Sequence, residues 1–310
     1  MTFVDLKNGK QTSNFPSNTI LCLGNFDGVH KGHRSLLSVA LDEKTKLISQ
    51  YPDILAGIWL FRLSPLHYLQ NDYKSITEID RKLQIFKSLS LDFAILADFP
   101  QLRYISPFDF VHDILEDKCK CKTAICGFNY NFAKDGLGDA RFLKDNFSGK
   151  TIICPPITEN GVPVSSTLIR SLIKGGMIEH ANDLLNEPFT ITAIVEHGAK
   201  LGSALGFPTI NQAFSQNLII PHFGVYASHC IIENKAYNSI TNVGKRPTVS
   251  DNEQIYAETF IFDFSGDLYG KKVDVQLLNF MRKECKFDSI TTLKNTVLND
   301  IETAKRILVK

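Results

Sequence analysis

The chain has 310 residues, of which 44% are hydrophobic and 22% charged, and its formal net charge at pH 7 is +1. This composition is typical of a soluble globular protein with one large domain or two ordinary ones. The balanced charge argues against a nucleic-acid or membrane-surface partner. No apolar run reaches the ~20 residues of a membrane helix. Residues 1–10 lack the apolar core of a signal peptide. We therefore expect a cytoplasmic protein with neither kind of partner.

The seven cysteines are scattered, and only Cys119, Cys121 and Cys126 lie close together in the chain. A zinc site is usually built from two close pairs of ligands, and no second pair completes a set here. We favour ordinary reduced thiols over a metal site.

The most informative stretch lies near the N-terminus. An apolar run over residues 19–23 predicts a buried strand, and a helical pattern begins after Ser35. Between them lie a glycine-rich turn and two histidines: Gly24, Asn25, Phe26, Asp27, Gly28, His30 and His33. A strand, a turn and a helix start in this order direct backbone N–H groups and a helix dipole at a ligand, which suits phosphate. Two imidazoles could then donate hydrogen bonds to a phosphate in a transition state, although a turn with two surface histidines is the alternative.

Strand-like and helical segments alternate from residue 19 to about 155. Apolar runs at 58–61, 93–96 and 123–126 predict buried parallel strands, and residues 79–89 and 106–118 predict helices. Repeated strand–helix units indicate a doubly wound α/β sheet, in which ligands bind at the carboxyl ends of the strands. The glycine-rich turn falls at such an end.

Two further segments of this half could bind a ligand. The loop 127–139, which contains Asn129, is rich in glycine, aromatic and amide residues, and it is either a surface loop or a loop that stacks on a planar ligand. Ser165 or Ser166 can cap a helix that runs to Lys174, with Arg170 one turn later. Hydroxyls at a helix start together with an arginine could bind phosphate, but a plain capped surface helix has the same pattern.

The pattern changes near residues 186–188, beyond which apolar residues alternate with a period of two. Several short strands separated by turns predict a small antiparallel barrel, and residues 290–308 predict a closing helix. We expect two domains, 1–184 and 185–310.

The loop 198–211 carries the chemistry expected of the second domain. Its glycines, Gly206 among them, allow backbone amides to approach an anion. Thr209 and Asn211, which follow Pro208, point the same way if the chain is extended there. A hydroxyl and an amide oxygen suit a Mg²⁺ ion that also contacts nucleotide phosphates, whereas a long hairpin loop is the alternative.

Glu258 is the most informative single residue of this half. It lies two and four residues before Phe260 and Phe262, so the alternation places it on their strand face. A carboxylate on an apolar face is costly unless it is paired or used, and a carboxylate that orients or deprotonates a hydroxyl would explain it. The alternatives are that this face is partly exposed or that the strand begins after Glu258.

Together these segments resemble the bacterial bifunctional riboflavin kinase/FAD synthetase family over about residues 15–305. The markers occur in the family's order. They are Gly24-Asn25-Phe26-Asp27-Gly28-Val29-His30-Lys31-Gly32-His33, Ser165-Ser166-Thr167-Leu168-Ile169-Arg170, Gly206-Phe207-Pro208-Thr209-Ile210-Asn211, Gly224-Val225-Tyr226, Asn242-Val243-Gly244-Lys245-Arg246-Pro247-Thr248 and Asp267-Leu268-Tyr269-Gly270.

The resemblance implies an N-terminal nucleotidyltransferase domain that makes FAD from FMN and a C-terminal barrel that makes FMN from riboflavin, both with ATP. Thr209 and Asn211 would hold Mg²⁺–ATP, Glu258 would be the base on the flavin's ribityl hydroxyl, and His30 and His33 would hold ATP phosphates. The other expected binding residues are Gly24, Asn25, Phe26, Asp27, Gly28, Asn129, Ser165, Ser166, Arg170, Lys200, Gly206, Pro208 and Arg282.

The sequence also departs from this family. Leu63 and Ser64 fall where the family has a proline and a histidine, and Tyr130 and Ala133 replace a phenylalanine and a glycine of the loop after residue 127. These departures favour a second hypothesis, a riboflavin kinase with an impaired adenylyltransferase domain. A non-catalytic flavin-binding regulator, and another nucleotidyltransferase with an unrelated barrel, are further alternatives that the intact kinase and phosphate motifs argue against.

Overall fold

A computed structural model describes residues 1–7, 10–11, 15–198, 202, 205–246 and 254–309. The chain divides into two compact units, Met1–Ser166 and Thr167–Lys310.

The first unit contains a seven-stranded sheet, and the structure confirms that it is a doubly wound α/β sheet. In the order β2-β1-β5-β4-β3-β6-β9, all neighbouring pairs are parallel except β1 and β2. The strands are β1 (Thr2–Lys7), β2 (Lys10–Gln11), β3 (Thr19–Leu23), β4 (Leu55–Phe61), β5 (Phe93–Ala97), β6 (Cys121–Gly127) and β9 (Lys150–Cys154). Two short hairpins pair β7 (Asn131–Phe132) with β8 (Gly138–Asp139) and β10 (Thr158–Glu159) with β11 (Val162–Pro163).

The chain leaves β3 towards β4 on one side and later adds β6 on the other, so the strand order reverses at β3. Such a reversal opens a crevice at the carboxyl end of the strand. The glycine-rich turn with the two histidines follows β3 directly and therefore lies where ligands bind in this class of fold.

Helices cover both faces of this sheet and bury two separate apolar cores. They are α1 (Lys31–Leu47), α2 (Leu66–Leu69), α3 (Ile79–Ser88), α4 (Phe99–Leu102), α5 (Pro107–Asp109), which continues as a π-helix over Phe110–Lys118, and α6 (Ala140–Asn146). The predicted helices at 79–89 and 106–118 are confirmed, with Ser106 accepting the Asp109 N–H at the start of the second.

The second unit is a closed antiparallel barrel flanked by helices, and the structure confirms this prediction too. The barrel order is β12-β13-β16-β15-β14-β17. Its strands are β12 (Phe189–Glu196), β13 (Thr209–Ala213), β14 (Gly224–Ile232), β15 (Lys235–Arg246), β16 (Gln254–Ile261) and β17 (Lys272–Lys283). The helices are α7 (Ser166–Lys174), α8 (Ile178–Leu185) and the closing helix α9 (Ile290–Leu308).

The interior of the barrel is partly polar. Ser228 hydrogen-bonds Ser239 and Thr241 at 2.8 Å each, and Thr241 hydrogen-bonds Thr259 at 2.9 Å. All four side chains are buried, and their mutual hydrogen bonds offset the cost of removing hydroxyls from water. Helix α9 covers the outer face of the barrel, where Ile301 and Ala304 join one apolar cluster with strand residues.

The division between the units falls earlier than the predicted boundary at 184/185. Helix α8 is tied to the barrel through Asn182, whose amide donates to the Leu277 carbonyl at 2.8 Å and accepts the Phe189 N–H at 2.7 Å. Helices α7 and α8 therefore group with the barrel as a compact unit. The assignment of one function to residues 1–184 and another to residues 185–310 stays a prediction.

None of the helices in the described ranges has the length and apolar character needed to cross a membrane. The thiols of Cys119, Cys121 and Cys126 are buried, and burial raises the pKa of Cys121 and of Cys126 to about 12. These thiols therefore stay protonated at neutral pH, and the described residues contain no group of three or more His, Cys, Asp or Glu side chains that could hold a metal ion.

Candidate active sites

The turn after β3 adopts a backbone conformation that non-glycine residues rarely take. Phe26, Gly28 and Val29 have φ angles of 48°, 86° and 45°. A left-handed conformation is costly for a β-branched residue and persists only where the surroundings enforce it. Phe26 and Val29 are both completely buried, so packing holds the turn in place. Strain held in this way is a common feature of ligand-binding turns.

The two histidines of this turn form one stacked pair. Their ring centroids are 3.7 Å apart and their planes differ by 18°. His30 caps α1, since its Nδ1 accepts the His33 N–H at 3.3 Å, so the neutral His30 ring carries its proton on Nε2. His33 Nδ1 is buried and has no hydrogen-bond partner within the described part of the chain. An unpaired buried nitrogen is costly, and a bound phosphate would give this one a partner.

Both imidazoles are neutral at physiological pH. Burial lowers the pKa of His30 to about 4, against the opposing attraction of Asp27. Burial also holds the pKa of His33 well below its ordinary value, with smaller contributions from His30 and Lys82. The pair can therefore donate hydrogen bonds to phosphate but adds no full positive charge of its own.

Asp27, which the sequence predicts as a binding residue, has a carboxylate that is already used inside the protein. Its Oδ1 accepts the Ile76 N–H at 2.9 Å, and its Oδ2 accepts the Tyr73 hydroxyl at 3.0 Å. The carboxylate therefore fixes the segment before α3 against the turn. The Ser166 hydroxyl, which belongs to the same unit, donates to the Asp27 carbonyl at 2.8 Å, so Ser166 lies beside the turn.

Three other residues of this half were predicted to bind the ligand. Asn129 is exposed in the loop after β6, and its carbonyl accepts the Asn131 amide at 3.4 Å. Ser165 immediately precedes α7 and is half-buried. Arg170 lies one turn beyond Ser166, in the part of α7 that belongs to the second unit, so its approach to the histidines stays a prediction.

In the second unit, Glu258 lies at the centre of a row of polar residues on three adjacent strands. It pairs directly with Asn211 on β13 and with Asn242 on β15. Directly opposed residues of antiparallel strands project from the same face of a sheet with Cβ atoms about 5 Å apart. The carboxylate is thus flanked by two amide side chains.

The predicted environment of Glu258 needs a correction. Strand β16 ends at Ile261, so Phe262 lies outside it. The buried face of the strand consists of Ala257, Thr259 and Ile261, whereas Glu258 and Phe260 are half-buried on the opposite face. The alternative of a partly exposed Phe face is therefore correct, because α9 rather than the barrel interior covers this side.

Thr209 and Asn211 are neighbours on one strand, as predicted. The Asn211 side chain is 5% exposed, its Nδ2 donates to the Thr209 carbonyl at 3.5 Å, and its buried Oδ1 has no partner in the described residues. The amide fits only because residue 198 is glycine, since a Cβ there would collide with it. An unpaired amide oxygen beside a hydroxyl is a donor set that fits Mg²⁺.

The loop 198–211 contains three further predicted binding residues. Gly206 has a φ angle of 91°, which favours glycine, and Pro208 is exposed. Lys200 lies outside the described residues.

A cavity of about 250 Å³ lies between this face of the barrel and α9. Its wall is largely apolar, with contributions from Phe207, Val225, Ile240, Phe260, Leu293 and Val297. Its polar lining includes Thr209, Asn242, Glu258, Arg282 and Asp300. An apolar cavity with a few convergent polar groups suits a planar organic ligand with a polar chain.

Arg282 lines this cavity and forms an ion pair with Asp300 of α9. Its Nη2 and Nε donate to the carboxylate at 2.7 and 3.0 Å, and these hydrogen bonds raise the pKa of the guanidinium. Sequence reasoning missed Asp300, because its helix pattern shows only a charge and not the partner 18 positions earlier in the chain.

Comparisons with known proteins identify the family of the chain. A family model described as FAD synthetase matches residues 12–168, and one described as riboflavin kinase matches residues 185–308. The chain is 30% identical over 296 residues to the bifunctional riboflavin kinase/FMN adenylyltransferase of Bacillus subtilis, with 93% of this chain and 92% of that protein covered. The enzyme of the same name from Buchnera aphidicola subsp. Schizaphis graminum is 34% identical, with 94% of both chains covered.

A crystal structure from Streptococcus pneumoniae shares the fold over nearly the whole length. It superposes with a TM-score of 0.88 at 30% identity and covers 98% of this chain and 99% of its own. That protein is described as a macrolide-efflux protein, a description that differs from the names of the curated relatives and of both family models. Two family models in series and relatives matched over more than nine-tenths of their length place the chain in the family of bifunctional riboflavin kinase/FMN adenylyltransferases.

Proposed function

We propose that the chain phosphorylates riboflavin to FMN in its barrel and transfers AMP from ATP to FMN, giving FAD and pyrophosphate, in its α/β unit. The names of both family models and of the relatives support the two activities. The observation that carries the site assignment is the position of Glu258, flanked by two amides and beside an apolar cavity.

In the kinase step, Glu258 would accept the proton of the ribityl hydroxyl while that oxygen attacks the γ-phosphorus of ATP, and the bond from that phosphorus to the bridging oxygen breaks to release ADP. Thr209 and Asn211 would hold the Mg²⁺ that arrives with ATP, because the unpaired Asn211 Oδ1 suits a hard cation. When bound, this ion neutralises charge on the phosphates. The apolar wall of the cavity would hold the isoalloxazine ring and exclude water.

In the adenylylation step, a phosphate oxygen of FMN attacks the α-phosphorus of ATP, and the bond from that phosphorus to pyrophosphate breaks. His30 and His33 would donate hydrogen bonds to the phosphates as charge develops on them. Ser166 lies next to the turn, and its hydroxyl would have to exchange its bond to the Asp27 carbonyl for one to a phosphate oxygen. No covalent intermediate is needed, so catalysis would depend on positioning and charge stabilisation.

A riboflavin kinase with an impaired adenylyltransferase is the second candidate, and the segment after β4 favours it. In place of the family's proline and histidine, Ser64 is 4% exposed and its hydroxyl accepts the Leu66 N–H at 3.3 Å. Arg62, at the carboxyl end of β4, forms ion pairs with Asp5 and Asp98. The side chains of Arg62 and Ser64, just after β4, are thus engaged in contacts within the protein. Ser64 stands where the family has a histidine.

Separate assays of the two half-reactions distinguish the candidates. The purified protein is incubated with Mg²⁺–ATP and either riboflavin or FMN, and the products are separated by chromatography. We expect FMN, followed by FAD, from the first incubation and FAD with pyrophosphate from the second, and no product in EDTA. FMN formation without FAD formation would support the kinase-only candidate, and binding of flavin without either product would contradict both.

We predict that Gly198→Ala raises the KM for Mg²⁺–ATP in FMN formation by about tenfold, a typical effect of disturbing a group that positions a metal ligand. The added methyl group would displace the Asn211 amide. The KM for ATP in FAD formation from FMN serves as the internal control and should not change. An unchanged kinase KM would mean that Asn211 does not hold the metal.

The expected partners are riboflavin, FMN and ATP. The assignment of adenylylation to residues 1–184 and of riboflavin phosphorylation to 185–310, and the cytoplasmic location, belong to the same proposal.

A further inference from the structure

Lys82 is a buried cation whose position the proposed mechanism does not explain. It lies on α3 and is 5% exposed. Its ammonium donates to the Asn25 carbonyl at 3.4 Å, within the turn that follows β3. Burying an ammonium is expensive, so a lysine at such a position usually has a specific role.

Helix α3 packs directly behind this turn. The ring of Phe86, one turn beyond Lys82, meets the Phe26 ring edge-on at 5.9 Å, and Phe26 lies 5.1 Å from the His33 ring. The ammonium of Lys82 is also close enough to His33 to lower the pKa of that imidazole. Lys82 is therefore connected to the histidine pair both by packing and by charge.

The charge of this site explains why such a cation would matter. Both histidines are neutral at physiological pH, and the Asp27 carboxylate of the same turn accepts hydrogen bonds from the Ile76 N–H and the Tyr73 hydroxyl. ATP brings several negative charges to this turn. Hydrogen bonds from neutral rings alone would leave much of that charge uncompensated in a partly buried site.

Resting on the proposed adenylyl-transfer site, we propose that Lys82 is a positioning residue of that site. From behind the turn, its ammonium holds the Asn25 carbonyl and supplies the fixed positive charge towards which the ATP phosphates bind. It acts through the turn and through the field at the histidine pair rather than by transferring a proton.

Two variants separate charge from packing. Lys82→Met keeps the length of the side chain and removes its charge, whereas Lys82→Arg keeps the charge. We expect Lys82→Met to raise the KM for ATP in FAD formation from FMN by at least about tenfold, the scale of a lost charge-assisted contact, and Lys82→Arg to retain most of the affinity. Lys87→Met, at the exposed end of the same helix, is the matched control and should behave like the unchanged protein.

If Lys82 had only a structural role, removing its charge would not change the pKa of His33. This pKa is therefore the second quantity to measure. The groups that bear on the imidazole pair are Asp27, His30, His33 and Lys82. Removing the lysine charge should raise the pKa of His33 towards its ordinary value, which proton NMR of the His33 ring detects by comparison with His33→Ala. The rate of riboflavin phosphorylation by the same preparation shows whether the barrel is intact. If Lys82→Met does not fold, Lys82→Gln is used in its place.

An unchanged KM for ATP in the folded, charge-free variant would overturn the inference, as would an unmoved pKa of His33. Its failure is distinguishable from failure of the proposed function. If His33→Ala abolishes FAD formation but Lys82→Met does not change it, only the inference about Lys82 is wrong. If His33→Ala leaves FAD formation intact, the adenylyl-transfer site itself is misplaced.

Discussion

Glu258→Gln is expected to reduce FMN formation from riboflavin by about 10²- to 10⁴-fold, the contribution typical of a general base. Glutamine keeps the shape of the side chain beside Asn211 and Asn242 but cannot accept the hydroxyl proton. The loss should therefore appear in kcat, with a smaller change in the KM for riboflavin. Initial rates of FMN formation at saturating Mg²⁺–ATP measure it directly.

The matched control is Glu302→Gln, which changes an exposed carboxylate on α9 that pairs only with Lys305 in the described structure. We expect this variant to keep full kinase activity. FAD formation from added FMN should be unchanged in Glu258→Gln. A Glu258 variant that phosphorylates riboflavin at the normal rate would remove the residue from the chemistry.

His33→Ala should have the reverse effect, with FAD formation from FMN reduced by about a hundredfold or more and riboflavin phosphorylation unaffected. The ring of His33 is stacked on His30, and its backbone N–H, which His30 caps, remains after the substitution. The variant thus removes one phosphate donor while the turn itself is retained. The two rates are measured in separate incubations with FMN and with riboflavin.

His112→Ala is a suitable control, since His112 of the same unit binds Glu116 at the surface of its helix. It should adenylylate FMN normally. Loss of both activities in His33→Ala, or in Glu258→Gln, would contradict the assignment of the two reactions to two sites.

The features that the sequence predicted correctly depend on local pattern. Buried parallel strands such as β3 read as short apolar runs, and α9 follows a helical repeat, so their bounds were predicted within a residue or two. The turn with His30 and His33 was found because its glycines and histidines are adjacent in the chain. Such signals do not require knowledge of which elements come together.

The features that sequence reasoning missed depend on contacts between distant segments. Strand β1 has neither a continuous apolar run nor a regular alternation, and only its pairing with β5 identifies it. The partial burial of the face that carries Glu258 and Phe260 depends on α9, which covers the outer side of the barrel. Nothing in the local sequence distinguishes Lys82 from other helix lysines, and its contact with Asn25 spans 57 positions.

The most direct test of the account is a time course of products from riboflavin, ATP and Mg²⁺ with the unchanged protein. We predict that FMN appears first and is then converted to FAD with release of pyrophosphate. The same protein with Glu258→Gln should form FMN from riboflavin only at the strongly reduced rate given above, yet should form FAD normally when FMN is added. FMN that accumulates without any FAD, or no product at all from riboflavin, would contradict the proposal that this chain performs both steps.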